Sequence, residues 1–283
     1  MSGPLIFCKL GGSTITDKRA PSTPRIGRIV RLAREVRAAL DSAPQLRLLL
    51  GHGSGSFGHT VGHKYQVHRG LAGDADWWGY AATGAAAARL NRIVTDRFLE
   101  AGVPVVSIQP SASLRCRGGE IQSIEEYAIR QALGRGLVPL VYGDVAFDDE
   151  QGCTIVSTER VMAHLASEMR PDRMVMVGEV DGVYDRDPLQ HDNARRIAEI
   201  SPSMFERIRS QLGGSHGVDV TGGMLSKVSE MVSLVAGKVT QRVHLISGGN
   251  KEALLCVLLD ENAAQGTVII PDSDAANRAS VVP

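Results

Sequence analysis

The chain predicts an α/β protein, a three-layer αβα sandwich around a mainly parallel central sheet, on three observations. Short apolar runs alternate along it with stretches of helical period, which is the pattern of a parallel sheet covered on both faces. With 283 residues, 43% of them hydrophobic, it can bury a sizeable core, and α/β sheets often run to this length as one unit. Several apolar runs end in glycine next to a lysine, histidine or aspartate, and the carboxyl ends of strands are where open α/β sheets hold their ligands.

In order, the predicted strands are Leu5 to Leu10, Leu46 to Gly51, Val103 to Ile108, Leu137 to Tyr142, Met174 to Gly178 and Arg242 to Ser247. Helical periodicity covers Arg25 to Leu40, Asp76 to Ala101, Ile124 to Leu133, Glu159 to Glu168, Pro202 to Gln211 and Met224 to Ala236. Between Val145 and Val156 two apolar runs flank the acidic turn Asp148-Asp149-Glu150-Gln151-Gly152, a β-hairpin signal. No internal repeat or low-complexity block interrupts the single domain, 1–283. A mild boundary near Asp144 divides it into two lobes that share the sheet, 1–144 expected to hold an acceptor and 145–283 expected to hold a nucleotide. The small, polar residues from Asp272 to Pro283 read as a loose tail.

Lys plus Arg equals Asp plus Glu at 31 each, so no bulk basic field draws the chain to nucleic acid or an anionic membrane, and any anion selectivity is local. Cys8, Cys116, Cys153 and Cys256 form no CxxC pair, which argues against a zinc site or disulfide framework and fits a reducing compartment. No apolar run approaches the ~18 residues of a membrane span and no signal segment opens the chain, so a cytoplasmic protein is expected.

The strongest local feature is Gly51-His52-Gly53-Ser54-Gly55-Ser56-Phe57-Gly58-His59, directly after an apolar run. So many residues without Cβ expose a row of backbone N–H groups, a concavity suited to phosphate oxygens. It is not a Walker A motif, and a plain tight turn is the bland alternative. His59 lies at its far lip. His52, His63 and His68 are near, but no Cys or carboxylate companion gives them metal-ligand spacing. At the N-terminus, Lys9-Leu10-Gly11-Gly12-Ser13 and Lys18 repeat the strand-to-glycine theme. Lys9 ends a buried strand and needs a partner for its charge, while Lys18 could equally be a surface lysine; a lysine clamp on a transferring phosphoryl group is the functional use. Asp219-Val220-Thr221-Gly222-Gly223-Met224 with Lys227 reads as a helix start able to hold an anion, or as an ordinary cap. Asp144, in Tyr142-Gly143-Asp144, could hold lysines in position, help hold Mg²⁺, or simply cap a turn. The loop with Asp181, Gly182 and Tyr184 could supply ribose and adenine contacts.

Taken in order, these motifs resemble the amino acid kinase superfamily from Lys9 to Ile269, and within it the isopentenyl phosphate kinases. The match rests on Lys9-Leu10-Gly11-Gly12-Ser13 with Ile15-Thr16-Asp17-Lys18, Gly55-Ser56-Phe57-Gly58-His59, Tyr142-Gly143-Asp144, Val180-Asp181-Gly182-Val183-Tyr184 with Asp187-Pro188, and Asp219 to Met224 with Lys227. The resemblance implies ATP with Mg²⁺, a homodimer, and transfer to isopentenyl phosphate, with no protein ligand assigned to the metal. It implies that Lys9, Lys18, His59, Asp144 and Lys227 carry the chemistry. The acceptor would meet Gly53, Ser54, Gly55, Gly58, His59 and Gly143. ATP would meet Lys9, Gly11, Gly12, Ser13, Asp181, Gly182, Tyr184, Gly222, Gly223 and Lys227. Two departures stand out. Ser54 replaces a glycine of the family's cradle, and Ser157-Thr158-Glu159 replaces Ser-Gly-Asp and is closer to fosfomycin kinases. A fosfomycin-type phosphonate kinase and a catalytically silent ligand-binding domain of the same fold are therefore the alternatives. For an isoprenoid tail, the stretch from Trp77 to Ala88 offers aromatics followed by small residues, with ordinary helix packing as the bland reading.

Overall fold

The computed structural model describes residues 3–71, 77–186, 191–212 and 222–273. Its elements in chain order are β1 (Leu5–Leu10), α1 (Gly12–Ile15), α2 (Ile26–Ser42), β2 (Arg47–His52), α3 (Gly55–Lys64), α4 (Trp78–Glu100), β3 (Val105–Ser107), β4 (Arg115–Arg117), β5 (Glu120–Ser123), α5 (Tyr127–Gly134), β6 (Val138–Tyr142), β7 (Asp144–Asp148), β8 (Gly152–Val156), α6 (Thr158–Met169), β9 (Arg173–Gly178), β10 (Val183–Tyr184), β11 (Arg196–Ile197), β12 (Glu199–Ile200), α7 (Pro202–Leu212), α8 (Gly222–Ala236), β13 (Arg242–Ser247), α9 (Ala253–Leu259) and β14 (Thr267–Ile269).

The six apolar runs of the sequence form the contiguous block β13-β9-β1-β2-β6-β3, parallel throughout. The sheet is completed by β14, antiparallel to β13, and by β12 beyond it. The expected hairpin is β7–β8, and it joins β4 and β5 in a smaller sheet that draws strands from both sides of residue 144. The start of the helix expected from Asp76, and the tail beyond residue 273, lie outside the described residues.

Side-chain alternation along β1 builds the two outer layers. Ile6, Cys8 and Leu10 pack with Ile29, Leu32 and Val36 of α2, Leu90 and Val94 of α4, and Leu254 of α9. The recurrence of apolar residues in α2 at Ile29, Leu32, Ala33, Val36 and Ala39 is the helical period that buries one face. Leu5 and Phe7 face the other way, toward Ile129 of α5, Met162 and Leu165 of α6, and Met231 of α8. Lys9 is next in that second row, because every other residue of a strand shares a face. Its charged end is therefore sent toward α6 and α8.

Candidate active site

β1 and β2 are neighbours in register, with Lys9 opposite Gly51 and Leu10 opposite His52. The two glycine turns consequently leave the sheet side by side. They touch backbone to backbone: a Cβ on Gly12 would lie 2.5 Å from the Gly55 nitrogen, and one on Gly53 would lie 2.8 Å from the Gly12 nitrogen. Those distances are too short for any side chain. The chain does not continue as an open turn to His59, as the glycine content suggests. It enters α3 at Gly55, whose φ of 49° suits glycine, so His59 stands in the second turn of a helix. Thr16 fastens this junction, its hydroxyl donating to the Gly12 carbonyl at 2.7 Å and accepting from the Ser56 amide at 3.0 Å. The Cβ that Ser54 adds is accommodated against Gly58, where a side chain would come within 2.6 Å of it.

Lys9 is buried, and its Nζ is paired with Glu159 of α6. Ser157 caps that helix by accepting from the Arg160 amide at 3.3 Å, which sets Glu159 in its first turn. Burial pulls the Lys9 ammonium below its usual range, opposed by Glu159, while Lys227 pulls it further down. For Glu159 burial is the largest cause and acts upward, but the charge and hydrogen bond of Lys9, a backbone amide and Lys227 together outweigh it, and the carboxyl ends below its ordinary value. Glu159 has no role in the motifs of the sequence. Asp144, expected to hold the lysines, is engaged elsewhere: its carboxylate accepts from the Ser111 amide at 3.2 Å and from the amide of its neighbour Val145 at 2.9 Å. Burial raises its pKa.

His59 is on the exposed face of α3, yet its imidazole is held below its usual pKa, by partial burial first and then by Lys18, with Lys227 and Lys9 adding to the effect and Glu159 opposing it. One side chain thus feels all three lysines and the glutamate, although they come from β1, the loop after α1, α6 and α8. Lys18 and Lys227 are both exposed.

The remaining expected residues take varied positions. Gly11 and Ser13 flank the start of α1, and Gly11 donates to the Val177 carbonyl of β9 at 2.8 Å. A Cβ on Gly143 would meet the Thr158 hydroxyl oxygen at 3.1 Å. Asp181 accepts from the Tyr184 hydroxyl at 2.6 Å and pairs with Arg196 at 3.4 Å, and Gly182 packs on Thr267. Gly222 and Gly223 open α8, as the sequence suggests. Asp187-Pro188 and Asp219 to Thr221 lie outside the described residues. Along α4, Tyr80 stacks on Phe147 with centroids 4.8 Å apart, and Trp77 lies 5.9 Å from the same ring. Gly84 faces Val145 and Asp144, whereas Ala81 and Ala85 are exposed. Among the described residues no group of three or more His, Cys, Asp and Glu side chains could hold a metal ion, and no helix is long and apolar enough to cross a membrane.

Fold and site together define an α/β domain that gathers backbone amides, lysines and a histidine at the carboxyl edge of its sheet, as a phosphate-handling protein requires. The chain belongs to the amino acid kinase family, whose model matches residues 4–247. The isopentenyl phosphate kinase of Methanothermobacter thermautotrophicus is 35% identical over 260 residues, covering 89% of this chain and 95% of that one. An isopentenyl phosphate kinase solved by X-ray methods superposes with a TM-score of 0.78 at 32% identity, covering 94% of this chain and 99% of the other. The product complex of the T. acidophilum isopentenyl phosphate kinase does so with a TM-score of 0.74 at 28% identity, covering 94% and 99%.

Proposed function

We propose that this chain transfers the γ-phosphoryl group of ATP to isopentenyl phosphate, releasing isopentenyl diphosphate and ADP. The observation that carries this reading is the meeting of His59, Lys9, Lys18, Lys227 and Glu159 in one electrostatic neighbourhood beside the Gly12–Gly53 contact. Similarity over most of the chain to isopentenyl phosphate kinases supports the choice of acceptor.

The acceptor phosphate would lie against the amides of Gly53 to Gly55 and His59, with Gly58 leaving room for Ser54, and the ATP phosphates between the Gly11-Gly12 turn and the start of α8. An acceptor oxygen forms a bond to the γ-phosphorus as the bond to the β–γ bridging oxygen breaks, and the electron pair leaves on ADP. A phosphate monoester has its second pKa near about 6, so it is already nucleophilic at neutral pH and needs no strong general base. Positioning and charge neutralisation then supply the catalysis. Lys9 and Lys227 would stabilise the transferring group, Lys18 would follow the moving charge, and Glu159 takes over from Asp144 the task of aiming Lys9. Asp144 would instead organise the acceptor wall through Ser111. Asp181, Gly182 and Tyr184 would contact the nucleoside.

Mg²⁺ would accompany ATP. Glu159 is engaged by Lys9 and Asp144 by two amides, so the residues fit an ion held by nucleotide oxygens and water, where it would neutralise phosphate charge. A cytoplasmic homodimer completes the proposal.

A coupled ADP-release assay with isopentenyl phosphate, dimethylallyl phosphate, fosfomycin and amino acids tests it. Highest kcat/KM with isopentenyl phosphate is expected; a preference for fosfomycin promotes the phosphonate kinase, and no turnover with any acceptor promotes the silent domain. The tail wall is tested separately. Gly84→Leu would intrude on Val145, where even a Cβ comes within 3.1 Å of a methyl group, and should lower kcat/KM for isopentenyl phosphate. The same substitution should leave KM for ATP unchanged. Ala81→Leu, on the exposed side, should do neither; equal effects would remove α4 from the acceptor site.

A further inference from the structure

His52 is the last residue of β2 and is completely buried, yet the transfer as described gives its side chain no task. Alternation along β2 turns it away from Lys9 and toward α4, where it stacks on Tyr142 with centroids 5.5 Å apart and planes 9° from parallel. Both ring nitrogens have partners: Nδ1 lies 3.1 Å from the Gly53 carbonyl oxygen and Nε2 lies 3.2 Å from the Asn91 side-chain nitrogen. Ser107 Oγ completes the row on the Asn91 side-chain oxygen.

The protons of this row follow from its one unambiguous member. A carbonyl can only accept, so Nδ1 must carry the hydrogen. Nε2 is then the acceptor, Asn91 must present its NH₂ group to it, and the Asn91 oxygen is left to accept from Ser107. Burial depresses the imidazole pKa to about 4, so this neutral tautomer persists across the working range of an enzyme.

Its consequence lies one peptide further on. In a planar trans peptide the carbonyl and the following N–H point in opposite directions. Holding the Gly53 carbonyl toward the buried imidazole therefore turns the Ser54 N–H away from it, to the opposite side of the peptide. No hydrogen bond among the described residues uses that N–H, whereas the neighbouring Gly53 amide is committed to Leu10 at 3.0 Å and the Ser56 amide to Thr16 at 3.0 Å. The His52 main chain adds a second link, its carbonyl accepting from the Thr158 hydroxyl at 2.7 Å, next to Glu159.

We propose that His52 is a positioning residue for the acceptor phosphate: its Nδ1–H fixes the Gly53–Ser54 peptide with the Ser54 N–H aimed at the phosphate, and Asn91 and Ser107 fix the tautomer that does so. This rests on the reading that the acceptor phosphate binds the Gly53 to Gly55 segment.

Three variants and one spectrum test it. His52→Leu removes the donor and should raise KM for isopentenyl phosphate by about 10- to 100-fold, the loss expected for one hydrogen bond to a charged group, while KM for ATP stays within about twofold. His52→Asn offers an amide N–H near the position of Nδ1 and should recover most of the loss. His52→Gln, which reaches only the Nε2 position, should not. Long-range ¹H–¹⁵N spectra of the unmodified protein should report the Nδ1–H tautomer. An Nε2–H tautomer overturns the proposal even if the buried variants fold poorly, and so does an equal loss for Asn and Leu, or equal rises in both KM values. Unmodified protein that prefers fosfomycin would refute the acceptor reading alone, and the same KM comparison made with fosfomycin, whose phosphonate presents the same oxygens, would then decide the proposal. If no acceptor is turned over, calorimetric binding of isopentenyl phosphate to the unmodified protein and to His52→Leu decides it: weaker binding by the variant is expected, and equal affinities overturn the proposal.

Discussion

Replacing Lys9 with alanine is expected to lower kcat by about 10²-fold or more, with much smaller changes in either KM, because in the proposed transfer its charge would act on the phosphoryl group in transit more than on the bound substrates. The expectation follows from where the ammonium is kept. It is buried on the α6 face of β1 in an ion pair with Glu159, so its charge is little screened by water and is aimed before substrates arrive. Lys9→Arg should not restore the rate, since a planar fork does not replace a point charge. The truncation also leaves Glu159 buried without its partner, which costs about 3–5 kcal/mol in comparable sites, so the rate must be read well below the variant's melting temperature. Glu159→Gln separates the two contributions. Without that carboxylate, burial and Lys227 act on Lys9 downward with only the weaker attraction of Glu230 against them. The alkaline limb of the kcat profile should therefore move to lower pH, as Lys9 loses its proton earlier. An unmoved limb would show that Glu159 does not govern Lys9.

Much of this arrangement is legible in the sequence where chemistry and periodicity are local. Leu5 to Leu10 announces a buried strand, and a lysine in its apolar row requires a partner. That the partner is Glu159 depends on β1 and α6 meeting across 150 positions of chain, which no local pattern encodes. One signal was available: Glu159 falls on the helical stripe it shares with buried Met162 and Ala166, and an acid in an apolar stripe asks for a cation. The helix α3 was hidden for the opposite reason. Glycine is a poor helix former, so Gly55-Ser56-Phe57-Gly58 reads as a loop; burial of Phe57 and the grip of Thr16 on Ser56 override that propensity. The short strands β12 and β14 and the small helix α9 gain their structure from pairing and packing at the sheet edge, and their sequences carry little periodicity of their own. Asp144 shows the limit of motif position. A carboxylate at the end of a central strand was expected among the lysines, but β7 begins at that residue and the chain carries it toward Ser111 and α4.

Replacing His59 with alanine is expected to raise KM for isopentenyl phosphate by tenfold or more, on the order of one charge-assisted hydrogen bond, with KM for ATP little changed. His59 follows the Gly55 start of α3 by one helical turn, so in the proposed complex its ring would meet the same phosphate as the amides of the cradle. His59→Gln should keep part of the affinity if donating a hydrogen bond is the main role. The remainder depends on charge, and its sign can be worked out. In the free protein partial burial and the three lysines hold the imidazole below its ordinary pKa of 6.5, so at neutral pH it is uncharged. A phosphate beside it opposes those causes and raises the pKa toward the working pH, so binding should draw a fraction of a proton onto His59. Titration calorimetry of isopentenyl phosphate in buffers of different ionisation enthalpy should therefore find more protons taken up by the unmodified protein than by His59→Gln, the phosphate's own titration being common to both. Equal uptake, or a loss of ATP affinity as large as the loss of acceptor affinity, would move His59 away from the acceptor phosphate.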